Sequence, residues 1–504
     1  MTAPLPDTLA DALHDAAPEQ VLIIDGDIQF DAATLRERAT ALARTLLARM
    51  PVGSVVSFML PNWHEAAVVY LGATLAGMAV NPILPSLRDH ELRFILDDVD
   101  SRIIFVPSEF RGHDYAGMLD RVVADLPDPP EVVVVRGPGH TPYESLFAPD
   151  AVVALPALDP ADVRMIMYTS GTTGRPKGVL HNHNSLHALI GQLRDNWHIE
   201  PADRFLVPSP IAHIGGSIYA FECPLLLGTT AVLMEQWDPA AAVGLMTAQR
   251  CTHMAGATPF LTGLLSAAER AGTHLPDLKV FICGGASVPP SLIRSATDYF
   301  DKAVVTRVYG STEVPVTTVG STRPGDTDHA ADTDGRPGIA DVRLVDGEIR
   351  ARGPQMLVGY LHEGKPAAAF DADGYFRTGD LGAWVDEHYL VVTGRAKDLI
   401  IRNGENISPK EIEDLLITAP GVADIAVVGL PDPRTGERAC AVIVPGDGPT
   451  PDVDDLRRLL ADHGVAKFKA PEEVAIWDTL PKNDAGKILK HRIRAQLMEE
   501  RACQ

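Results

Sequence analysis

Apolar residues in this chain recur in two ways, and the two alternate. Short runs rich in Val, Ile and Phe predict strands at Val55–Leu60, Arg102–Val106, Glu131–Val135, Val163–Tyr168, Ala231–Met234, Lys279–Cys283 and Ala303–Val308. Between them, apolar positions return every three or four residues, and Ala240–Arg250, Phe260–Ala271 and Pro290–Phe300 read as helices. This alternation predicts an α/β fold built on largely parallel sheets. From Ala66 to Leu87 the chain carries no charge, a length that could cross a membrane. Gly72, Gly77, Asn81, Pro82 and Pro85 interrupt it, and Pro82 would break a helix. A buried helix over about 63–77, running into a strand and a loop, fits better.

The pattern changes near residue 340. Val342–Val345, Glu348–Ala351 and Tyr389–Thr393 read as short strands with tight turns at Asp346-Gly347 and Asp373-Gly374, a small β-rich subdomain over about 335–394. Beyond Gly394 a third pattern begins. A helix (Pro409–Ile417), two strands (Ala423–Leu430, Ala439–Val444), a helix (Asp452–His463), a strand (Glu473–Trp477) and a last helix (Ile488–Glu500) predict a compact α+β unit. The chain therefore divides into a large N-terminal domain, 1–396, and a small C-terminal domain, 397–504. No linker marks the boundary, so it rests on the change of pattern.

Composition narrows the function. At 504 residues and 46% hydrophobic, the chain can bury a large core without a disulfide or metal staple. Its net charge of -23 argues against non-specific nucleic-acid binding, which needs a basic surface. A polyanionic ligand would have to be met by cations concentrated locally. The five cysteines lie far apart with no CxxC spacing, which argues against a zinc site and suits reduced thiols in a cytosol. Met1–Asp7 lacks a basic region leading into an apolar run, so no signal peptide is read and a cytoplasmic location is expected.

The most informative segment follows the strand ending Met165-Ile166-Met167. It reads Tyr168-Thr169-Ser170-Gly171-Thr172-Thr173-Gly174-Arg175-Pro176-Lys177-Gly178. Its glycines let the backbone approach a ligand and offer N–H groups, its hydroxyls add donors, and Lys177 adds a compact cation. Together these make a polyphosphate cradle. It is not a P-loop, which requires GxxxxGK followed by Ser or Thr. Further along stand Gly284-Gly285-Ala286, Tyr309-Gly310-Ser311-Thr312-Glu313, Tyr375-Phe376-Arg377-Thr378-Gly379-Asp380, Gly394-Arg395-Ala396-Lys397-Asp398, Arg402-Asn403-Gly404-Glu405 and Pro481–Lys487. Glu313 is a hard oxygen donor suited to magnesium, and Asp380 is an acceptor-only carboxylate suited to sugar hydroxyls.

In this order and over nearly the whole chain, these motifs resemble the adenylate-forming superfamily of acyl-CoA synthetases, adenylation domains and beetle luciferases. The segments Arg250–Thr252, Gly256–Phe260 and Val308–Glu313 look like short- and medium-chain acyl-CoA synthetases and cyclohexanecarboxylate-CoA ligases. The resemblance implies ATP, magnesium and coenzyme A as cofactors, and a mobile C-terminal domain. It places the 169–177 loop on the triphosphate and Gly284, Gly285 and Ala286 against adenine. Tyr309, Gly310, Ser311 and Thr312 would hold the nucleotide, Thr312 taking the adenylate phosphate, and Glu313 with Thr172 would hold magnesium. Asp380 would accept from both ribose hydroxyls, Arg395 would contact ribose or phosphate, and Lys397 stands at the hinge. Gly404 would line the pantetheine channel, and His213 would gate the thiol path unless it is an ordinary core histidine. Lys487 would be the adenylation lysine, with Lys482 a nearby surface residue, and His181 and His183 would be structural.

The implied reaction activates a carboxylic acid as an acyl-adenylate and passes the acyl group to the thiol of coenzyme A. Neither step calls for a Ser-His-Asp set, and no GxSxG elbow occurs. Ile214, Gly215, Tyr219, Ala255, Gly256, Ala257 and Val314, taken as the pocket, are small or apolar, which favours alicyclic, branched, medium-chain or terpenoid acids. Three rival readings share some of these motifs: an adenylating enzyme that feeds a carrier protein, a member performing one half-reaction, and a non-catalytic acyl-nucleotide sensor. Whether the chain is a monomer or a homodimer is left open.

Overall fold

The structure is a computed structural model that describes residues 4–147, 153–169, 176–323, 325–483 and 486–502. Seven strands form the first sheet in the order Val304–Val308, Val280–Gly284, His253–Gly256, Arg204–Val207, Thr230–Leu233, Val21–Asp25, Ile28–Asp31. All neighbours are parallel except the last pair, a hairpin closed at Asp25↔Ile28. Eight strands form the second sheet around a parallel centre of Val163–Thr169, Ala79–Pro82, Val55–Phe58, Ser101–Pro107 and Glu131–Val135. Lys177–Asn182 returns antiparallel beside Val163–Thr169, and Gly359–Tyr360 pairs antiparallel outside it.

One apolar cluster runs between these two sheets and takes side chains from both, among them Ile23, Phe205 and Leu233 on one side and Val56, Phe105 and Met165 on the other. The uncharged stretch supplies the helix His64–Leu75, whose residues from Glu65 to Leu75 are all buried, followed by the strand Ala79–Pro82. A helix apolar on every face belongs in a core, and among the described residues no helix is long and apolar enough to cross a membrane. At the heart of the cluster Arg164 pairs with Glu222 at 2.7 Å, and the Tyr70 hydroxyl bridges both. Glu222 closes a wide helical turn, Ile218–Glu222, inserted between Ile214–Ser217 and Cys223–Leu227. Burying that ion pair is costly unless each charge is fully bonded, and the Tyr70 bridge helps meet that demand.

Asp341–Val345, Glu348–Arg352, Phe376–Val385 and Tyr389–Arg395 make a four-stranded antiparallel sheet. Its first turn has Asp346 at φ 52° and Gly347 at φ 80°, the left-handed pair that a two-residue hairpin needs. A last sheet holds Ile400–Arg402, Glu405–Ile407, Gly436–Pro445, Val422–Asp432 and Glu473–Ile476, packed against Pro409–Leu416, Val453–Asp462 and Lys490–Ala502. Two apolar clusters flank this sheet, and both draw only on residues from Ile400 onward.

The architecture is the expected α/β fold with antiparallel edges. Several strands escape the sequence reading. Arg204–Val207 and His253–Gly256 are only four residues long, and Phe376–Val385 contains two glycines and three charged or hydroxyl residues that mask its strand character.

Candidate active site

The C-terminal ends of the parallel strands His253–Gly256, Val280–Gly284 and Val304–Val308 lie side by side, the place where open α/β sheets bind ligands. Two glycines there are dictated by backbone crowding. A Cβ on Gly284 would sit 2.8 Å from the Val308 carbonyl oxygen, and one on Gly310 would sit 2.6 Å from the Val316 nitrogen. Gly285 turns the chain at φ +83°, ahead of Ala286. The loop from Tyr309 is pinned by its own bonds. Tyr309 N donates to Thr318 Oγ1 at 2.8 Å, and Val314 N donates to Ser311 Oγ at 3.1 Å.

Four predicted residues from distant segments meet beyond this loop. The Tyr309 hydroxyl donates to Asp380 Oδ2 at 2.7 Å, and Arg395 Nε pairs with Asp380 Oδ1 at 2.9 Å. Asp380 and Arg395 face each other as antiparallel partners in the four-stranded sheet. Burial pushes the Tyr309 hydroxyl well above its ordinary range, so it stays a donor. Each carboxylate oxygen of Asp380 has spent one acceptor position and keeps another for a ligand.

Lys487 arrives from the C-terminal domain. Its backbone N donates to Asn483 Oδ1 at 2.8 Å, which shapes the turn presenting it, and Gly486 leaves room for Pro259, 3.2 Å from where a Cβ would lie. Burial, aided by the Arg395 cation, lowers the Lys487 pKa to about 8, while Asp380 opposes that shift. A second bridge between the domains lies nearby. Ser287 Oγ donates to Asp414 Oδ1 at 2.9 Å, and Lys410 pairs with the other oxygen of Asp414. Lys482 points elsewhere and pairs with Asp424.

A second grouping forms on the lysine strand, Lys177–Asn182. Lys177 Nζ lies 2.9 Å from Glu363 Oε2 and 5.1 Å from the centre of the Tyr360 ring. The Tyr360 hydroxyl donates to Glu313 Oε1 at 3.1 Å, and Leu357 N donates to the Glu313 carbonyl at 2.8 Å. The Thr312 carbonyl accepts from His181 Nε2 at 2.8 Å. Burial lowers the His181 pKa to about 4, so the ring is neutral at ordinary pH. His183 is also buried, its Nδ1 accepting from Leu9 N at 3.3 Å.

The remaining predicted residues are placed as follows. His213 caps Ile214–Ser217, its N donating to the Pro210 carbonyl at 3.0 Å. Lys397 sits in the short turn Ala396–Asp398 between the last strand of the large domain and the first of the small one. Gly404, at φ +83°, forms with Asn403 the exposed turn of a hairpin in the small domain. Ser170, Gly171, Thr172, Thr173 and Gly174 lie outside the described residues; Thr169 ends the strand before them. Of the pocket residues, Tyr219 stacks on Phe205 with ring centres 5.1 Å apart. Val314 departs from its expected place. It is fully buried among Val179, Leu357 and Tyr360, because the Ser311–Val314 turn directs it into the small β-rich core.

Sequence reasoning missed Tyr360, Glu363, Asn483 and the Ser287–Asp414 bridge. Tyr360, Glu363 and the bridge work through partners far away in the chain and sit in no recognisable motif, whereas Asn483 lies four residues before Lys487 in a quoted motif whose turn the sequence alone does not show.

The comparisons with known proteins agree with this geometry. A family model described as AMP-binding enzyme matches residues 11–361, and one described as AMP-binding enzyme C-terminal domain matches 411–487. The medium-chain fatty-acid–CoA ligase of Escherichia coli (strain K12) is 31% identical over 96% of this chain and 88% of its own. A 3-[(3aS,4S,7aS)-7a-methyl-1,5-dioxo-octahydro-1H-inden-4-yl]propanoyl:CoA ligase of Mycobacterium tuberculosis (strain ATCC 25618 / H37Rv) is 34% identical over 96% of this chain and 97% of its own. Among solved structures, ATP-bound MatB from Rhodopseudomonas palustris superposes with a TM-score of 0.86 at 29% identity, covering 97% of this chain and 98% of that one. With motif residues from four distant segments gathered at one site and both family models matched in order, the chain belongs to the AMP-binding enzyme family.

Proposed function

We propose that this protein is an AMP-forming acid–CoA ligase that activates an apolar carboxylic acid with ATP and transfers the acyl group to coenzyme A. The observation that carries the reading is that Lys487, from the small domain, lies in the electrostatic reach of Asp380 and Arg395, where the Tyr309 hydroxyl also bonds Asp380, which brings a cation to the proposed ribose site. In the first step an oxygen of the substrate carboxylate attacks the α-phosphorus, the bond to the β-phosphate oxygen breaks, and pyrophosphate leaves. Lys487 would bring its ammonium to the charge building between carboxylate and α-phosphate. Lys177 offers a point charge to the outer phosphates, and Thr312 a hydroxyl to the α-phosphate.

Glu313 suits magnesium, since Tyr360 engages only its Oε1 and leaves Oε2 as a hard donor. Thr172 would join it; when bound, the ion neutralises triphosphate charge. In the second step the coenzyme A thiolate attacks the acyl carbonyl and AMP leaves with the bonding pair. His213, at the cap of Ile214–Ser217, would stand at the thiol path, and Gly404 on the pantetheine channel after the small domain turns about Lys397.

The acid is apolar. Ile214, Ala255 and Ala257 carry no charge, and Tyr219, taken as part of the same pocket, stacks on another apolar ring, Phe205. The relatives whose names specify a medium-chain fatty acid and a ring-bearing propanoic acid support the same class. Incubating an acid panel with ATP, magnesium and coenzyme A, read by mass spectrometry, tests the whole reading. Acyl-CoA and AMP are expected for medium-chain or alicyclic acids, and neither product from any acid would defeat it.

The Ser287–Asp414 bridge yields a separate expectation. It joins the domains in the arrangement that seats Lys487. Ser287→Ala is expected to lower acid-dependent pyrophosphate–ATP exchange about tenfold, the worth of one hydrogen bond to a charged group. Thioester formation from supplied acyl-adenylate should stay within about twofold. Equal loss in both assays would refute the bridge's selective role.

A further inference from the structure

Side chains at alternate positions leave one face of a strand, so Lys177, Val179 and His181 project together from Lys177–Asn182. Their contacts follow that alignment. Lys177 lies over the Tyr360 ring, Val179 packs in the cluster that holds Val314, Leu357 and Tyr360, and His181 reaches the Thr312 carbonyl. One strand face is thus stitched along the loop that carries Thr312 and Glu313.

His181 is an unusual choice for this position. Its side chain is fully buried, His181 itself pairs with Met165, and Leu180 and Val179 before it pair with Ile166 and Met167. An apolar residue would fill the space without the cost of burying a polar ring. The polar ring instead satisfies two specific partners. A carbonyl oxygen only accepts, so Nε2 carries the proton it gives to Thr312 O. Nδ1 is then the acceptor and faces Ser185 Oγ at 3.2 Å. Ser185 is itself fixed by the helix cap, its N donating to Asn182 Oδ1 at 2.9 Å. The chain Asn182, Ser185, His181, Thr312 therefore links a rigid helix start to the peptide plane between Thr312 and Glu313. The other side of Glu313 is held by Leu357 N and the Tyr360 hydroxyl.

We propose that His181 is a positioning residue for adenylation, fixing the Thr312–Glu313 peptide so that the Thr312 hydroxyl and Glu313 carboxylate keep a set offset from Lys177. This rests on the phosphate and magnesium roles given above to Lys177, Thr312 and Glu313. A misplacement near 1 Å at such a site costs up to about a hundredfold in rate, and loss of one of three restraints sits below that limit.

The test compares His181→Leu and His181→Gln in the full-length chain. His181→Leu is expected to lower kcat/KM for magnesium-ATP in pyrophosphate exchange by about tenfold to thirtyfold, with a higher magnesium requirement. Thioester formation from supplied acyl-adenylate should remain within about twofold, a split that a merely structural role would not produce. His181→Gln carries an amide N–H to about the reach of Nε2 and should recover exchange to within about threefold. Unchanged exchange in His181→Leu, parallel loss of both half-reactions, or a glutamine variant no better than leucine would each overturn the proposal. If His181→Leu does not fold, His181→Asn replaces it: its amide stops short of Thr312, so exchange well below that of His181→Gln supports the role, and equal exchange refutes it. A Glu313→Gln control separates the premise from the inference. Normal exchange in that control removes the magnesium reading and this proposal with it, whereas impaired exchange there with normal exchange in His181→Leu removes the proposal alone.

Discussion

Lys487→Ala is expected to lower acid-dependent pyrophosphate–ATP exchange by about two to three orders of magnitude while leaving thioester formation from supplied acyl-adenylate nearly intact. The size follows from the electrostatic role. Removing one preorganised donor aimed at developing charge costs about 3–4 kcal/mol. The selectivity follows from placement, since the ammonium is seated beside Asp380 and Arg395 and not on the hairpin of Gly404. Equal loss of both half-reactions would contradict this division of labour.

The pH dependence has a definite sign. Burial has brought the Lys487 pKa down to about 8, so the ammonium is charged below that value and neutral above it. Exchange should therefore fall on the alkaline side of about pH 8, and Lys487→Arg, which stays charged, should lose that limb. Stability runs the other way. The unfolded lysine keeps its proton up to about pH 10.4, so between the two values the unfolded state binds more protons and stability rises with pH. Lys487→Met should accordingly stabilise the protein below about pH 8, with the gain fading toward pH 10.4, as chemical denaturation at several pH values would read.

Asp380→Ala carries the second large effect. It removes the carboxylate that Arg395 and the Tyr309 hydroxyl both engage, and with it the two acceptor positions left for ribose. Two hydrogen bonds to a charged group, at about 1.5 kcal/mol each, amount to roughly a hundredfold in ATP affinity. Asp380→Asn keeps the shape but turns one acceptor into a donor facing either Arg395 or Tyr309, and should cost about tenfold. Calorimetric titration with ATP would measure both. Affinity unchanged in Asp380→Ala would remove ribose binding from this carboxylate.

Local chemistry made much of this readable in advance. Helix ends, strand runs and tight turns depend on neighbours in the chain, so Glu131–Val135 and the Asp346-Gly347 turn were legible from composition and period alone. The site motifs were legible as separate pieces. What joins them was not, because Asp380 and Arg395 become partners only through the pairing of two strands, and Lys487 joins them only when the small domain lies against Pro259. His181 shows the limit most clearly. Beside the cradle it reads as one more structural histidine, and its partner at Thr312 lies 131 positions away.

The apolar layer between the two large sheets draws on both, and Arg164, Glu222 and Tyr70 fasten its middle, whereas the clusters of the small domain stop at their own sheet. Heat should therefore dissolve the two big layers together as one cooperative block, with the C-terminal unit melting as a separate event. A preparation in which the small unit alone had melted would keep a folded nucleotide platform that lacks its cationic arm.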